Sequence, residues 1–461
     1  MTTDVTTKSA GTHAATLAGT NWAGNLSYSA HGVVRPTTVA EVRDLVLAAG
    51  AAMADAASGA PAGTARLRAL GSRHCFNDLA DTSGLLVSLE DLEPVAAGHL
   101  QLGTTAAGIP TVRVSAGTRY GDLAAALFPL GLAVHNLASL PHISIAGAIA
   151  TATHGSGNGN QGLGGAVVGL ELVTGTGEFL TLRRDEEGPV PFDAAVVHLG
   201  ALGIITHITL AVEPTFDVRQ DVYQDLPWAS LEQNFDAITG AAYSVSVFTR
   251  LREDAADQVW LKSRVDALGE TGDLGYGDDF FGARRAAVAL HPLPGISAEN
   301  CSEQLGVPGP GHERLAHFRR EFTPSNGAEL QSEYLVPREH AVAAIAAVRA
   351  LRERIVPLLQ IIEFRTMAAD GLWLSPAGQH DTVGLHFTWL PRQTEVEALL
   401  PAIEAALAPF DARPHWGKLF TTDAARLAEL FPRLGEFAAL ADGLDPAGVF
   451  ANDYLDRVLG R

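Results

Sequence analysis

Through about the first two hundred residues, short apolar runs with period two alternate with stretches of helical spacing. Gly32-Val33-Val34-Arg35-Pro36 predicts a strand stopped by proline, and Thr38 opens the helix that follows. Thr38 and Glu41 have capping-box spacing, with Val39, Val42, Val46 and Ala49 as the apolar stripe. Arg66 to Leu70 predicts a second strand, preceded by a flexible small-residue insertion at Ser58 to Thr64. Val112 to Ala116 predicts a third strand, running into the turn Gly117 to Asp122 and another helix. This order predicts two small α/β lobes in succession. The β-branched run Ala166 to Thr174 predicts a further strand.

Beyond about residue 213 the texture is mixed. Tyr243 to Phe248 and Gln258 to Leu261 predict strands, and Pro337 to Arg352 predicts a helix with Ala341, Ile345 and Val348 on one face. Gly269 to Gly282 is acidic and glycine-rich and predicts a mobile loop. Two later strands carry polar groups on one face. In Gln360 to Thr366, alternation sets Glu363 and Arg365 opposite Ile362 and Phe364. In Leu385 to Trp389, His386 and Thr388 lie opposite Leu385, Phe387 and Trp389. If the polar faces coincide, one pocket receives an acid, an imidazole, a guanidinium and a hydroxyl, an inventory that suits a polyol. Each residue taken alone also reads quietly: Glu363 and Arg365 as an ion pair, His386 as a histidine satisfied by backbone, Lys418 as a surface charge.

Composition narrows the classes. A chain of 461 residues exceeds what one hydrophobic core usually supports, which predicts two domains. With 47% hydrophobic and 18% charged residues it reads as a soluble globular protein. A net charge of −20 argues against nucleic acid or an anionic membrane as partner. Two cysteines, Cys75 and Cys301, exclude a disulfide framework and fit a reducing compartment. Met1 to Leu17 has no basic segment followed by an apolar core, and reads as a loose leader rather than a secretory signal. The apolar run Ala124 to Val134 is short and broken by Pro129, too short for a membrane span. The expected location is the cytoplasm.

The chemistry concentrates in a few motifs. Leu70-Gly71-Ser72-Arg73-His74-Cys75-Phe76-Asn77 reads as a glycine turn that presents one histidine. Asn136 to Gly147 and Thr151 to Gly157 are dense in small residues and hydroxyls. Such a backbone can pass close to a large flat ligand and donate to its phosphates, or can simply form a packing seam. Gly157-Asn158-Gly159-Asn160-Gln161-Gly162 matches a dinucleotide fingerprint in spacing, but a strand rather than a helix follows it, so the nicotinamide reading fails. Without His-Glu-x-x-His or a paired Cys-x-x-Cys, a zinc enzyme is not expected.

Taken together, the histidine turn, Glu363-Phe364-Arg365, His386-Phe387-Thr388-Trp389 and His415-Trp416-Gly417-Lys418 resemble the alditol oxidases of the vanillyl-alcohol oxidase superfamily of flavoproteins. The resemblance runs from about Asn21 almost to the C-terminus. His415 to Lys418 is close to a His-Trp-Ala-Lys signature shared with the aldonolactone oxidoreductases. The implied fold is α+β: a two-lobed FAD-binding domain of the vanillyl-alcohol oxidase (PCMH) type with an α+β cap. Its implied parts are a leader over 1–20, an FAD domain over 21–212, a cap over 213–413, and a return to the flavin over 414–461.

By resemblance, His74 carries FAD covalently. Gly71, Ser72, Arg73, Cys75, Phe76, Asn77, Ser139, Ser144, Gly147, Thr151, His154, Gly155, Ile205, His415, Lys418 and Asn452 complete the cofactor set. Ser139, Glu363, Arg365, Thr388 and Lys418 are the implied alditol contacts, with His386, Arg365 and Lys418 as catalytic groups. Imidazole titrates near neutral pH, which makes His386 the candidate base. The implied activity is oxidation of a terminal hydroxyl of xylitol or sorbitol by a monomer, with O2 reduced to hydrogen peroxide. Relatives often have glycine and serine where this chain has Arg73 and Cys75. Arg73 is expected either to disturb a positive-φ turn or to help neutralise the pyrophosphate, and Cys75 to pack with its side chain away from His74. An aldonolactone oxidase or dehydrogenase on the same fold, and a non-catalytic flavin or sugar binder, are the competing readings.

Overall fold

The computed structural model describes residues 16–57, 65–93, 100–268, 274–322 and 329–461. Nearly all of the expected leader, the Ser58 to Thr64 insertion and part of the Gly269 to Gly282 loop lie outside these residues.

The first lobe is built as its pattern predicts. Gly32–Val34, Leu85–Ser88 and Leu67–Leu70 form a parallel sheet in that spatial order. The helix Val39–Ala57 packs on it through Val42, Val46 and Ala49. Its start is a capping box: Glu41 N–H donates to Thr38 Oγ1 at 3.2 Å, and Thr38 N–H to Glu41 Oε2 at 3.3 Å.

In the second lobe the sheet is antiparallel rather than the parallel one that an α/β order implies. Its strands run Gln101–Thr104, Pro110–Ser115, Ile204–Ala211, Val167–Val173 and Phe179–Arg183. Two of its connections are tight turns, too short for the crossover that parallel strands need. Thr105 N–H to Ile109 O at 2.9 Å closes the first of them.

Residues 217–414 form an antiparallel sheet of ten strands. Its central order is Ala255–Arg264, Ser244–Thr249, Leu359–Met367, Thr382–Trp389 and Leu330–Pro337, with Arg413–Pro414 at the edge. Helices Ala341–Ala350 and Gln393–Leu407 share an apolar core with Ile362, Phe364, Leu385 and Phe387 from one face of this sheet. The other face is left for polar groups. The helix expected from Pro337 begins at Ala341, because Pro337 is the last paired residue of its strand and a 3-10 turn, Arg338–His340, intervenes.

Two large cores result. One spans Val34 to Val218 and is rejoined by Trp416, Phe431, Phe437 and Val458 from the chain's end; the other runs from Tyr223 to Leu407, apart from Phe76 and Leu419. Arg68 ties the ends of the first core together. Its buried guanidinium donates to the carbonyls of Leu79 (2.6 Å), Leu199 (2.7 Å), Gly200 (3.0 Å) and Phe450 (3.0 Å). Among the described residues no helix is long and apolar enough to cross a membrane.

Candidate active site

A cavity of about 540 Å³ lies between the lobes and the bare face of the large sheet. That size is typical of small-molecule and cofactor sites. One wall is the segment whose small residues left two readings open: Ala138, Ser139, Ser144, Gly147, Thr151 and His154 all line the cavity, with Ile205 beside them. The close approach is specific. A Cβ on Gly71 would sit 2.6 Å from Ser144 Oγ, and Ser72 and Ser144 exchange hydrogen bonds between hydroxyl and backbone at 3.1 and 3.3 Å.

The histidine turn forms the second wall. His74 stacks on Trp22, with ring centroids 5.1 Å apart. Neither ring nitrogen makes a well-formed hydrogen bond, although the Ser72 backbone approaches. Burial lowers the His74 pKa to about 4, so the ring is neutral near pH 7. A neutral, unpartnered imidazole on a cavity wall of small residues fits a residue that holds a large flat cofactor.

Arg73 adopts φ +65°, the conformation for which glycine is the easy choice. Its guanidinium is committed elsewhere, to Ala18 O at 2.6 Å and Thr20 O at 3.2 Å, and lies over the Tyr28 ring. The turn therefore keeps the geometry that Arg73 was expected to disturb, and the guanidinium's partners are backbone carbonyls of the N-terminal segment. Cys75 packs against the first core beside Gly417, and burial pushes its thiol up to about 11.

Strand register assembles the third wall. Glu363 pairs with His386, and His386 pairs on its other side with Glu333. One residue pair along, on the same face, Gln331, Thr388 and Ile361 are aligned; in the other direction lie Arg365 and Gly384. The polar faces inferred from alternation thus coincide, joined by a third strand whose Gln331-x-Glu333 spacing repeats that of Glu363-x-Arg365. Gly384 has a specific reason to be glycine: a Cβ there would lie 2.9 Å from Glu333 Oε1. Arg365 can therefore reach Glu333 across the intervening strand.

Glu333 is the hub, and sequence reasoning missed it. Its carboxylate accepts from Lys418 Nζ at 2.6 Å and from Arg365 Nη2 at 3.2 Å. His154 Nε2 lies 3.1 Å away, at ion-pair distance but poorly aligned for a hydrogen bond. Burial alone would raise its pKa, yet Lys418, His154 and Arg365 together hold it well below the usual carboxylate range. Glu363 behaves alike: burial is outweighed by Arg365, His317 and His386, and its pKa is low. Burial lowers the Lys418 pKa, with Glu333 opposing.

His386 Nδ1 receives Arg365 Nη2 at 3.1 Å and lies 3.3 Å from Lys418 Nζ. Its Nε2 is buried with no partner among the described residues. Burial, reinforced by Lys418, holds its pKa well below the ordinary histidine value. Arg365 also donates to Ser139 Oγ at 3.2 Å, linking the sheet to the opposite wall.

Three residues of the expected cofactor set stand behind the walls. Asn77 Nδ2 donates to Trp416 O and Lys418 O, both at 2.8 Å, and so bolts the histidine turn to the Lys418 segment. Asn452 caps the final helix and donates to the carbonyls of Asp78, Leu79 and Asp81. Gly155 is pressed against Asn136 and Leu137 O. His415 is on the wall, where its Nδ1 accepts from Gly417 N–H at 3.1 Å.

Comparison with known proteins agrees with this architecture. An FAD-binding domain model matches residues 30–183, and a D-arabinono-1,4-lactone oxidase model matches 326–458. Cholesterol oxidase from B. sterolicum superposes with a TM-score of 0.72 over 96% of both chains at 15% identity, a likeness of fold alone. A Streptomyces alditol oxidase is 48% identical over 95% of this chain and 98% of its own. An L-gulono-1,4-lactone dehydrogenase of Mycobacterium tuberculosis is 31% identical over 95% and 98%. Fold and cavity thus define an FAD-dependent oxidoreductase of the vanillyl-alcohol oxidase type. Within that class, the chain belongs to the alditol oxidase family.

Replacing Glu333 by glutamine leaves Lys418 and Arg365 buried beside a neutral group, and should cost about 3 kcal/mol near neutral pH. A carboxylate whose folded pKa lies below its ordinary 4.5 contributes stability above that value and loses it as pH falls through the folded value. The gap between wild type and Glu333→Gln in urea unfolding should therefore be constant above about pH 5 and shrink below 4.5. A gap that widens on acidification contradicts the assignment.

Proposed function

We propose that the protein oxidises the terminal hydroxyl of alditols such as xylitol and sorbitol to the aldose and passes the electrons to O2, forming hydrogen peroxide. The observation that carries this reading is the convergence of Glu333, Glu363, Arg365, His386, Thr388 and Lys418 on the cavity that also holds His74. Bound there, FAD supplies the acceptor for the hydride that leaves the carbinol carbon. His74 is the proposed covalent attachment, which would retain the cofactor and make it a stronger oxidant.

The protein's own groups then have separable tasks. Glu363 offers acceptor oxygens to substrate hydroxyls, while Arg365 and Ser139 offer donors and Thr388 offers either. Arg365 and Lys418, both buried, oppose negative charge that develops on the substrate oxygen. His386 is the proposed base. Its Nδ1 accepts from Arg365 at 3.1 Å and lies 3.3 Å from Lys418 Nζ, so it takes the substrate proton once those two donors turn to the substrate oxygen.

A lactone substrate is the second reading, favoured by the match of residues 326–458 to a lactone oxidase model. Glu363 and Arg365 together with His386 and Thr388 on one wall of the cavity argue for the alditol. The expected state is a monomer in the cytoplasm, with no nucleic-acid or membrane partner, in keeping with its strongly acidic balance.

Under anaerobic conditions xylitol should bleach the flavin band of the purified enzyme, and His386→Ala should slow that step at least about 100-fold while retaining FAD. An unchanged rate removes His386 from the base role. Acid precipitation should leave the yellow colour with the protein pellet; colour released wholly to the supernatant rules out the covalent bond.

A further inference from the structure

Behind Glu363, on the side away from His386, lies a buried chain of polar groups that the mechanism above does not use. Lys262 belongs to the strand Ala255–Arg264 and is 1% exposed. Its Nζ contacts three acceptors: Leu315 O at 2.5 Å, Ala316 O at 3.0 Å and His317 Nδ1 at 3.1 Å. His317 Nε2 in turn lies 2.8 Å from Glu363 Oε1.

These contacts fix the protons. An ammonium has three donors and no acceptor, and carbonyls only accept, so the lysine site is complete when His317 Nδ1 accepts as well. The ring proton then sits on Nε2, pointing at Glu363, which receives it as an ionised carboxylate. The reverse tautomer would set a bare ring nitrogen against a carboxylate oxygen. Burial lowers the His317 pKa to about 4, so a neutral ring is the stable form. Burial also lowers the Lys262 pKa to about 7, with Glu363 opposing, so the ammonium is well populated at and below neutral pH.

The ring is also held from the outside. Phe248, Trp260 and Phe318 meet it edge to face at centroid distances of 5.5, 5.3 and 6.4 Å. The His317 backbone N–H donates to Ser139 O at 3.1 Å, so the same residue spans both walls of the cavity.

We propose that Lys262 and His317 are positioning residues that hold Glu363 as an oriented, acceptor-only carboxylate for a substrate hydroxyl, and so set the enzyme's affinity for polyols. The physical need is clear from the neighbours of Glu363. Arg365 Nε is 3.5 Å from Glu363 Oε2. A carboxylate free to turn would close a two-point pair with that guanidinium, spending on each other the groups that should meet substrate. With Oε1 engaged by His317, the carboxylate stays turned toward the cavity and Arg365 remains available to Ser139 and Glu333.

This inference rests on the alditol reading. The test uses the FAD-loaded enzyme and steady-state kinetics with xylitol. His317→Phe keeps the aromatic edge contacts and removes both hydrogen bonds; Lys262→Met removes the charge at similar length. Each should raise KM for xylitol about 10-fold or more while kcat stays within about threefold, the loss expected for a charged hydrogen bond to substrate weakened in its geometry. His317→Gln, whose amide can donate near the Nε2 position, should recover most of the loss.

Action through Glu363 is read from a double-mutant cycle. In a Glu363→Gln background, His317→Phe should add less than about threefold to KM; fully multiplicative effects would overturn the proposal. An unchanged KM in both single variants with normal flavin content would overturn it too, as would kcat falling with KM constant. If a single variant loses its flavin, the double variant Lys262→Met/His317→Phe, which leaves no unpaired buried cation, supplies the same KM comparison. A wild type that reacts with no alditol overturns the functional reading instead, and the inference falls with it.

Discussion

Glu333 is the constraint on which the site depends. Two cations, Arg365 and Lys418, must stay charged while buried on the wall of the cavity, and desolvation works against both. A carboxylate with no exposed surface, bonded to each of them, offsets that penalty. Breaking such an arrangement from one side is costly because it strands the remaining charges, whereas the intact set is close to neutral. Glu363 supplies the second negative charge on the same row of the sheet, so two carboxylates balance two cations. The register that aligns Glu333, His386 and Glu363 and the missing side chain at Gly384 are what allow this balance across three strands.

The second dependence is between distant parts of the chain. The segment that carries Lys418 also braces the His74 turn: Phe76 N–H donates to Gly417 O at 2.8 Å, and Asn77 grips the carbonyls on either side of Gly417. The C-terminal helix is bound to the same region through Asn452, and Arg68 gathers Phe450 with carbonyls of both lobes. The turn proposed to hold the cofactor and the cation proposed to face the substrate are therefore set by one piece of backbone. Arg73 fits this picture. It takes up a left-handed conformation that a non-glycine residue adopts at a cost of order 1 kcal/mol, and the N-terminal carbonyls and Tyr28 hold it there.

Much of this was legible in the sequence, for reasons of periodicity. Two-residue alternation placed Glu363 with Arg365 and His386 with Thr388 on the correct faces, and helical spacing with a capping box located the first helix. The glycine turn and the small-residue segment were recognisable because close backbone approach demands those residues. Glu333 escaped, although Gln331-x-Glu333 repeats the polar spacing of the neighbouring strands, because alternation gives faces but not which strands are adjacent. Lys262 and His317 escaped for a different reason: a lysine within an apolar strand reads as a solvated charge, and its partners come from a loop more than fifty residues away. The compensation for Arg73 lay likewise outside any local window. The antiparallel pairing of the second lobe followed from loop lengths rather than from element order.

The central claim is that this cavity is built for a polyol and hands its electrons to oxygen. The most direct measurement is aerobic turnover with peroxide detection, comparing xylitol with L-gulono-1,4-lactone on the same preparation. The account predicts one hydrogen peroxide per xylitol oxidised and a kcat/KM for xylitol well above that for the lactone. A preference for the lactone, or oxidation of xylitol that needs an artificial acceptor and yields no peroxide, would contradict it.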